Sequence, residues 1–331
     1  MPKREAGEIN QGHHGSYGFM SIQFIITKLL VRLSGSKRIT GLPRDKMLKQ
    51  IRSRNKLNRF FIPGDGKFAY RDVKVRVEDL DGITEENLSG NFHCLAICHR
   101  EKPKRAVLCV YGGGLLLAPP RMFVGFAKKM AANTGADVWF PYYPLCDEYT
   151  IRDSVRMLYE VYAKMCREYE DVRWYGYSSG GALLLLLGAY LNDNRNPLPM
   201  PEKLVLISPG GVPATDEEWE KMQSLNGKDI MLSAQYMKTI QPLLSHGNKT
   251  VPRWMQSCDG ADFSDFPETW IYYGTSEVLS AKAEAYDEML TKAGVKHHLK
   301  MAKDMPHCYC TTVFFPEARA DYEETMRILR E

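Results

Sequence analysis

The 331-residue sequence predicts an α/β fold with a mainly parallel central sheet and helices on both faces. Strand-like and helix-like stretches alternate along most of the chain. The pentapeptide Gly176-Tyr177-Ser178-Ser179-Gly180 lies between a strand-like run and an apolar helical run. In addition, 44% hydrophobic and 25% charged residues are typical of a chain that buries one substantial core.

Eight strand-like runs support this fold class. They occupy residues 73–77, 92–99, 106–111, 137–141, 172–175, 203–207, 269–273 and 295–301. Helical patterns lie between or after them at 123–133, 151–168, 182–192, 281–293 and 317–329. The first two strands look antiparallel, and the βα repeats that follow predict the parallel part of the sheet.

The pentapeptide at 176–180 predicts a sharp turn between a strand and a helix. Its two glycines let the strand and the helix approach each other, and the turn exposes the central serine at the carboxyl edge of the sheet. Ser178 is therefore the candidate nucleophile. Alone, the pattern fits a Gly/Ser turn that opens a buried helix equally well, so the rest of the chain has to decide.

Three consecutive glycines, Gly112 to Gly114, end the strand-like run at 106–111 and precede the pentapeptide. Without side chains in the way, successive backbone N–H groups can point at one spot, as an oxyanion hole requires. A flexible turn is the alternative. The preceding strand and the position upstream of Ser178 favour the oxyanion hole.

A carboxylate and a histidine follow later strand ends. Glu277 lies just past the run at 269–273, and His307 follows the run at 295–301. A lone glutamate is usually a solvated surface group, and a lone histidine usually has a structural role. The order Ser178, Glu277, His307, each on a loop after a strand, nevertheless predicts a nucleophile, acid and base.

These motifs resemble those of the α/β-hydrolase superfamily, and within it the hormone-sensitive-lipase-like serine esterases. That family carries an H-G-G-G motif, a Y-R-L-A-P segment, a G-x-S-x-G elbow, an acid in a D-P-L-type segment and a late histidine. The corresponding segments of this chain are Tyr111 to Gly114, Pro141 to Leu145, Gly176 to Gly180, Glu277-Val278-Leu279 and His307. The resemblance covers roughly residues 70–331 closely and the preceding segment only by position.

The resemblance implies an α/β-hydrolase fold with a helical cap and a reaction without a cofactor. It also implies site roles: Ser178 as nucleophile, Glu277 as acid, His307 as base, and the N–H groups of Gly113, Gly114 and Ser179 as oxyanion donors.

Two positions depart from the family pattern. Tyr111 replaces the usual histidine, which is expected to brace the glycine loop, so a phenol or another group must brace it in this chain. The backbone donors survive that change. Glu277 replaces the commoner aspartate, and either carboxylate can orient an imidazole and stabilise its protonated form.

Two segments outside the alternating pattern are predicted to form the cap. The predicted boundaries are a disordered tail at 1–16, cap segments at 17–60 and 208–265, and a catalytic domain at 61–207 and 266–331. The second cap segment is expected to be folded, since a structureless loop of that length is improbable. Residues 22–33 predict an amphipathic helix that is too short to span a bilayer, and a peripheral membrane helix is the alternative interpretation.

Apolar side chains of the cap, of the glycine loop and of the pentapeptide at 176–180 are candidates for the walls of an acyl pocket. They are Leu115, Leu116, Tyr177, Trp219 and Tyr236. For the cap residues, the alternative is that they form the core of the cap itself.

Charge and cysteine content bear on partners and location. The net charge of +4 is mild and the basic residues are scattered among acids, so we expect no nucleic-acid partner and no stable membrane insertion. The eight cysteines fit no zinc spacing and no disulfide framework, so we expect reduced thiols and no metal. The expected reduced thiols, together with the lack of a cleavage site of the A-x-A type, favour the cytoplasm. A homodimer is left open.

The expected function is that of a serine carboxylesterase, which hydrolyses small esters of short to medium acyl chains through an acyl-enzyme. An amidase, a deacetylase or an acyltransferase could use the same triad, because the attack chemistry is shared. A ligand-binding protein without catalysis is a further alternative on this fold. Receptors of that kind in the family lack the triad histidine, whereas His307 is present.

Overall fold

The structure is a computed structural model that describes residues 9–10, 20–82, 89–193 and 198–331. The predicted disordered tail at 1–16 therefore lies outside the described residues, except for Ile9–Asn10. These two residues pair in parallel with the strand His297–Ala302.

Nine strands form one sheet in the described part of the chain. They are β1 (Ile9–Asn10), β2 (Ala69–Glu78), β3 (Ser89–Cys98), β4 (Arg105–Val110), β5 (Asp137–Tyr142), β6 (Asp171–Tyr177), β7 (Leu204–Ile207), β8 (Thr269–Gly274) and β9 (His297–Ala302). Their order across the sheet is β1-β9-β8-β7-β6-β4-β5-β3-β2. Only the pairs β2–β3 and β3–β5 are antiparallel in this sheet of described strands, which confirms the predicted fold class.

Helices cover the sheet and form the segments outside it. They are α1 (Ile22–Leu33), α2 (Ser36–Thr40), α3 (Arg44–Asn55), α4 (Arg121–Thr134), α5 (Ile151–Glu168), α6 (Ser179–Asp193), α7 (Asp216–Leu225), α8 (Gln235–Ser245), α9 (Trp254–Ser257), α10 (Ala283–Lys292) and α11 (Pro316–Arg330). Short 3₁₀ helices occupy Val278–Lys282 and Tyr309–Thr311. Helix α4 packs against α11, and α5 packs against α6.

The local sequence explains helices α5 and α6. Thr150 and Asp153 form a capping box at the start of α5, in which each side chain accepts a hydrogen bond from the backbone of the other. Helix α6 is buried on nearly all sides, and its leucine run at 183–187 packs into the core.

The sheet brings several loops to one edge. Strands β4, β6, β7, β8 and β9 run parallel, so the loops that follow them all emerge at the carboxyl edge. Val110 pairs with Gly176 in the β4–β6 register. This register places the loop with three glycines directly beside the turn that carries Ser178.

The segments at 20–60 and 208–265 contact each other. The backbone N–H of Ser233 donates to Thr40 Oγ1 at 3.0 Å, and Lys37 Nζ donates to the carbonyls of Asn226 and Asp229. The segment at 208–265 contains the helices α7, α8 and α9, in agreement with the expectation that it is folded.

Candidate active site

Ser178 lies on a strained turn between β6 and α6. Its φ of +55° falls in the left-handed region, which is uncommon for a residue other than glycine. The flanking glycines are required by close packing. A Cβ at Gly176 would lie 2.7 Å from the carbonyl oxygen of Gly180, and a Cβ at Gly180 would lie 2.2 Å from that of Val110. The turn therefore has the geometry of a nucleophile elbow.

The three residues predicted as nucleophile, acid and base lie together. His307 Nε2 is 2.9 Å from Ser178 Oγ, and His307 Nδ1 is hydrogen-bonded to Glu277 Oε2. His307 is buried and Glu277 is fully buried. Each residue comes from a different loop at the carboxyl edge, so the sheet aligns a hydroxyl, an imidazole and a carboxylate in one chain of hydrogen bonds.

The second oxygen of the acid is also held. Glu277 Oε1 accepts hydrogen bonds from the Gly274 N–H at 2.8 Å and from Ser208 Oγ at 2.7 Å. The Ser208 hydroxyl in turn accepts one from the Cys308 N–H at 3.0 Å. Ser208 therefore ties the loop of the acid to the loop of the base, and it fixes the carboxylate that orients the imidazole.

Ser208 was not among the predicted site residues. The signal that could have found it is its position directly after β7, which ends at the same edge as the strands that carry the triad. Its positive φ of +47° is a further mark of a constrained position.

Charge raises the basicity of His307. Burial by itself would lower the pKa of the imidazole, but the Cys308 sulfur and the Glu277 carboxylate outweigh this effect and raise its pKa well above the ordinary value of 6.5. Cys308 Sγ lies 3.4 Å from His307 Nε2, so a thiol borders the same nitrogen that faces Ser178. The imidazole is thus suited to accept a proton from the serine hydroxyl.

Two tyrosines and a serine brace the glycine loop. The Tyr143 hydroxyl donates to the carbonyl of Tyr111 at 3.1 Å, and the two rings stack with centroids 4.4 Å apart. The Gly113 N–H donates to Ser179 Oγ at 3.0 Å, and this oxygen lies 3.4 Å from the Tyr143 hydroxyl. These contacts replace the brace that the missing histidine would provide.

The brace affects the predicted oxyanion donors. The Gly113 N–H is engaged with Ser179 Oγ in this structure. The Gly114 N–H, next along the loop, and the Ser179 N–H, on the first residue of α6, are the two remaining donors of the predicted set. Their action on a reacting oxygen stays a prediction.

The segment at 208–265 reaches the site at two points. The Tyr236 hydroxyl, on α8, donates to the carbonyl of Gly114. Asp229 Oδ2 accepts a hydrogen bond at 2.8 Å from the Val278 N–H, next to the acid. Asp229 is buried, and it lies in an aperiodic stretch between two helices where no sequence pattern marks it. The segment therefore supports the loops of the glycines and of Glu277.

The candidate pocket residues lie in different environments. Tyr236 contacts the glycine loop, and Leu115 and Leu116 are buried beside it. The Tyr177 ring packs against two phenylalanines of α4, and the Trp219 ring lies beneath Lys238 Nζ at 4.1 Å. Their role as walls of an acyl pocket stays a prediction.

The N-terminal segment also touches the glycine loop. Asn55 Nδ2 donates to the carbonyl of Leu116 at 2.8 Å, and Asn55 Oδ1 accepts from the Ala118 N–H at 2.9 Å. The side chain of Asn58 donates to the Ala118 carbonyl at 2.9 Å. The end of α3 is thereby fixed to the residues that follow the three glycines.

Comparison with known proteins shows the family. Residues 107–311 match the model of a family described as having an alpha/beta hydrolase fold. This match covers more than half of the chain and includes the loops that carry Ser178, Glu277 and His307. The chain therefore belongs to the α/β-hydrolase fold family, and the resemblance predicted from the motifs is confirmed at this level.

Individual relatives agree with this assignment. An esterase of Gibberella moniliformis is 24% identical over 246 residues, which cover 71% of this chain and 75% of the relative. The crystal structure of an esterase from the bacterial hormone-sensitive lipase family superposes with a TM-score of 0.73 at 20% identity, over 94% of this chain and 98% of that chain. A crystal of EstE5 soaked with p-nitrophenyl butyrate gives the same TM-score and coverage at 18% identity.

Proposed function

We propose that the protein is a serine carboxylesterase that hydrolyses small esters of short to medium acyl chains through an acyl-enzyme. The observation that carries the proposal is the continuous hydrogen-bonded chain from Ser178 Oγ through His307 to the buried Glu277. The esterase names of the relatives and the p-nitrophenyl butyrate soak of EstE5 support the same class of substrate.

The acylation step follows from this geometry. Ser178 Oγ attacks the ester carbonyl while His307 Nε2 accepts the hydroxyl proton. Glu277 stabilises the imidazolium that forms, and the N–H groups of Gly114 and Ser179 stabilise the negative charge on the carbonyl oxygen. The tetrahedral intermediate collapses as the imidazolium returns the proton to the leaving alcohol, which releases the alcohol and leaves the acyl group on Ser178.

Deacylation uses the same residues. His307 Nε2 accepts a proton from a water molecule, and the resulting nucleophile attacks the acyl carbonyl. The proton then returns to Ser178 Oγ as the carboxylic acid leaves. Every proton transfer involves side chains of this chain, and the reaction needs no added cofactor.

A substrate screen tests the proposed function. Wild-type protein and the Ser178→Ala variant are assayed with p-nitrophenyl esters of increasing acyl length from acetate to palmitate, beside the matching p-nitroanilides. We expect kcat/KM to be highest for short or medium acyl esters, far lower for the anilides, and dependent on Ser178. Faster turnover of the anilides, or ester turnover that survives in the variant, would overturn the proposal.

The raised pKa of His307 predicts the pH dependence. Only the neutral imidazole can accept the serine proton, so activity should fall towards acid pH through an apparent pKa above 6.5. The sign follows because a raised pKa keeps the imidazole protonated, and therefore inactive, to a higher pH. The measurement is kcat/KM for p-nitrophenyl butyrate, followed at the wavelength where nitrophenol and nitrophenolate absorb equally. A profile that is flat from about pH 5 to about pH 8 contradicts this assignment of the base.

A further inference from the structure

Helix α1 carries an exposed apolar ridge. Its large apolar side chains recur every three or four residues, so they share one side of the helix. All are more than half exposed, with relative exposures of 51% to 74%: Ile22, Ile25, Ile26, Leu29, Leu30 and Leu33, called the α1 ridge. Six exposed Ile and Leu side chains on a single helix form a contiguous apolar surface of the kind that marks an interaction site.

The opposite side of α1 attaches the helix to the protein. Phe24 is fully buried, and its ring centroid lies 4.9 Å from that of Phe315. The N-cap Ser21 is held by Glu317, which accepts hydrogen bonds from its N–H at 2.7 Å and from its hydroxyl at 2.8 Å. The contacts of Ser21 and Phe24 therefore fix which side of α1 faces inward, and the α1 ridge is directed away from the core.

The segment around the α1 ridge is strongly basic. Residues 20–60 contain eleven lysines and arginines but a single acid, Asp45, whereas the rest of the chain contains 33 basic and 39 acidic residues. Among the described residues, the only ion pair made by this segment joins Arg52 to Asp147. Most of its positive charge is thus not neutralised by the described part of the protein.

Several of these basic groups lie close to the α1 ridge. Lys28 and Arg32 belong to α1 itself. Arg54 Nη2 donates a hydrogen bond of 3.4 Å to the carbonyl oxygen of Ser34, the C-cap of the helix. The long side chains of Lys28 and Arg32 can extend from an apolar interface towards charged groups above it. Apolar side chains flanked by cations are characteristic of helices that lie in the interface of an anionic bilayer.

We propose that the α1 ridge and the basic segment at 20–60 bind the surface of a membrane that contains anionic lipids. Helix α1 lies in the plane of the interface, with the α1 ridge among the acyl chains and the basic side chains on the lipid phosphates. The proposed attachment is peripheral. Among the helices that the structure describes, none has the length and apolar character of a membrane span. The whole-chain charge conceals this surface, because the acids of the remaining chain offset the basic segment.

Charge favours a lipid surface over a second copy of the chain. Two copies that meet through the α1 ridge would bring two strongly basic segments together, and this repulsion opposes association. Anionic headgroups instead neutralise the same charges. The charge distribution therefore points to an acidic surface as the partner.

Vesicle co-sedimentation of the full-length protein tests the proposal. The vesicles consist of phosphatidylcholine alone or of phosphatidylcholine mixed with phosphatidylglycerol, at low and at high salt. We expect binding to the anionic vesicles to be at least about tenfold tighter than to the neutral ones and to weaken with salt. Equal binding to both vesicles, or no binding to either, would overturn the proposal.

A matched pair of variants tests whether vesicle binding depends on the α1 ridge or on exposed apolar side chains in general. Ile25→Gln/Leu29→Gln/Leu33→Gln should weaken binding to anionic vesicles by at least about tenfold. The control Ile62→Gln/Met122→Gln changes two exposed apolar residues outside the segment at 20–60 and should bind like the wild type. Circular dichroism and thermal unfolding check that both variants are folded.

Sedimentation velocity without lipid tests the rival partner. We expect the wild type and the variant Ile25→Gln/Leu29→Gln/Leu33→Gln, called the ridge variant, to have the same mass in solution. A wild-type dimer that the ridge variant converts to a monomer, with vesicle binding unchanged, would assign the α1 ridge to self-association and overturn the proposal.

Discussion

We expect replacement of Ser178 by alanine to abolish ester turnover, with a loss in kcat of about 10⁴-fold or more. Ser178 Oγ is the oxygen that faces the base, at 2.9 Å from His307 Nε2. The neighbouring hydroxyl is not placed to replace it, because Ser179 Oγ lies against the Gly113 N–H and the Tyr143 hydroxyl and not against the base. The measurement is kcat for p-nitrophenyl butyrate, with thermal unfolding to show that the variant is folded.

Ser179→Ala is the matched control for this prediction. It removes a hydroxyl from the adjacent position and weakens the brace of the glycine loop, but it leaves the Ser179 N–H in place. We expect a loss of about tenfold or less, of the size caused by losing one neutral hydrogen bond. A fluorophosphonate probe should label Ser178 alone, and an adduct mapped by mass spectrometry to another residue would refute the assignment of the nucleophile.

Replacement of Glu277 by glutamine should lower kcat by about 10³- to 10⁴-fold with little change in KM. Both carboxylate oxygens act as acceptors: Oε2 faces His307 Nδ1, and Oε1 accepts from Gly274 and Ser208. An amide has a single oxygen, so its NH₂ group must face either the imidazole or the two donors. The first arrangement selects the wrong tautomer of His307, and the second leaves buried donors unsatisfied.

Asp304→Asn is the control for the acid. Asp304 lies three residues before His307 in the same loop, but it is exposed, whereas Glu277 is fully buried. We expect Asp304→Asn to retain wild-type kcat. If this variant loses as much activity as Glu277→Gln, or if Glu277→Gln is harmless, the acid has been assigned to the wrong residue.

The fold was predictable because the central strands β4 to β8 are buried on both faces. Such strands appear in the sequence as short apolar runs, and the run at 106–111 corresponds closely to β4. The order of nucleophile, acid and base was predictable for a related reason. Parallel strands bring their following loops to one edge, so residues far apart in the chain, such as Ser178 and His307, meet there.

The supporting residues were not predictable in the same way. Ser208 and Asp229 act through hydrogen bonds between segments that are distant in sequence, and no periodic pattern records such contacts. Strand β1 has only two residues, too few for any alternation. The engagement of the Gly113 N–H by Ser179 Oγ depends on the distance between two loops, which the register of β4 and β6 determines.

The brace of the glycine loop bears on how relatives of this protein can be found. Tyr143 donates its hydrogen bond to the carbonyl oxygen of residue 111, a main-chain atom that every amino acid possesses. The side chain of Tyr111 is buried and stacks on the Tyr143 ring. The first position of the motif has thus become a packing position. A search pattern that demands histidine there would pass over this chain, whereas one that pairs an aromatic residue before three glycines with a tyrosine at the end of the next strand would retrieve it.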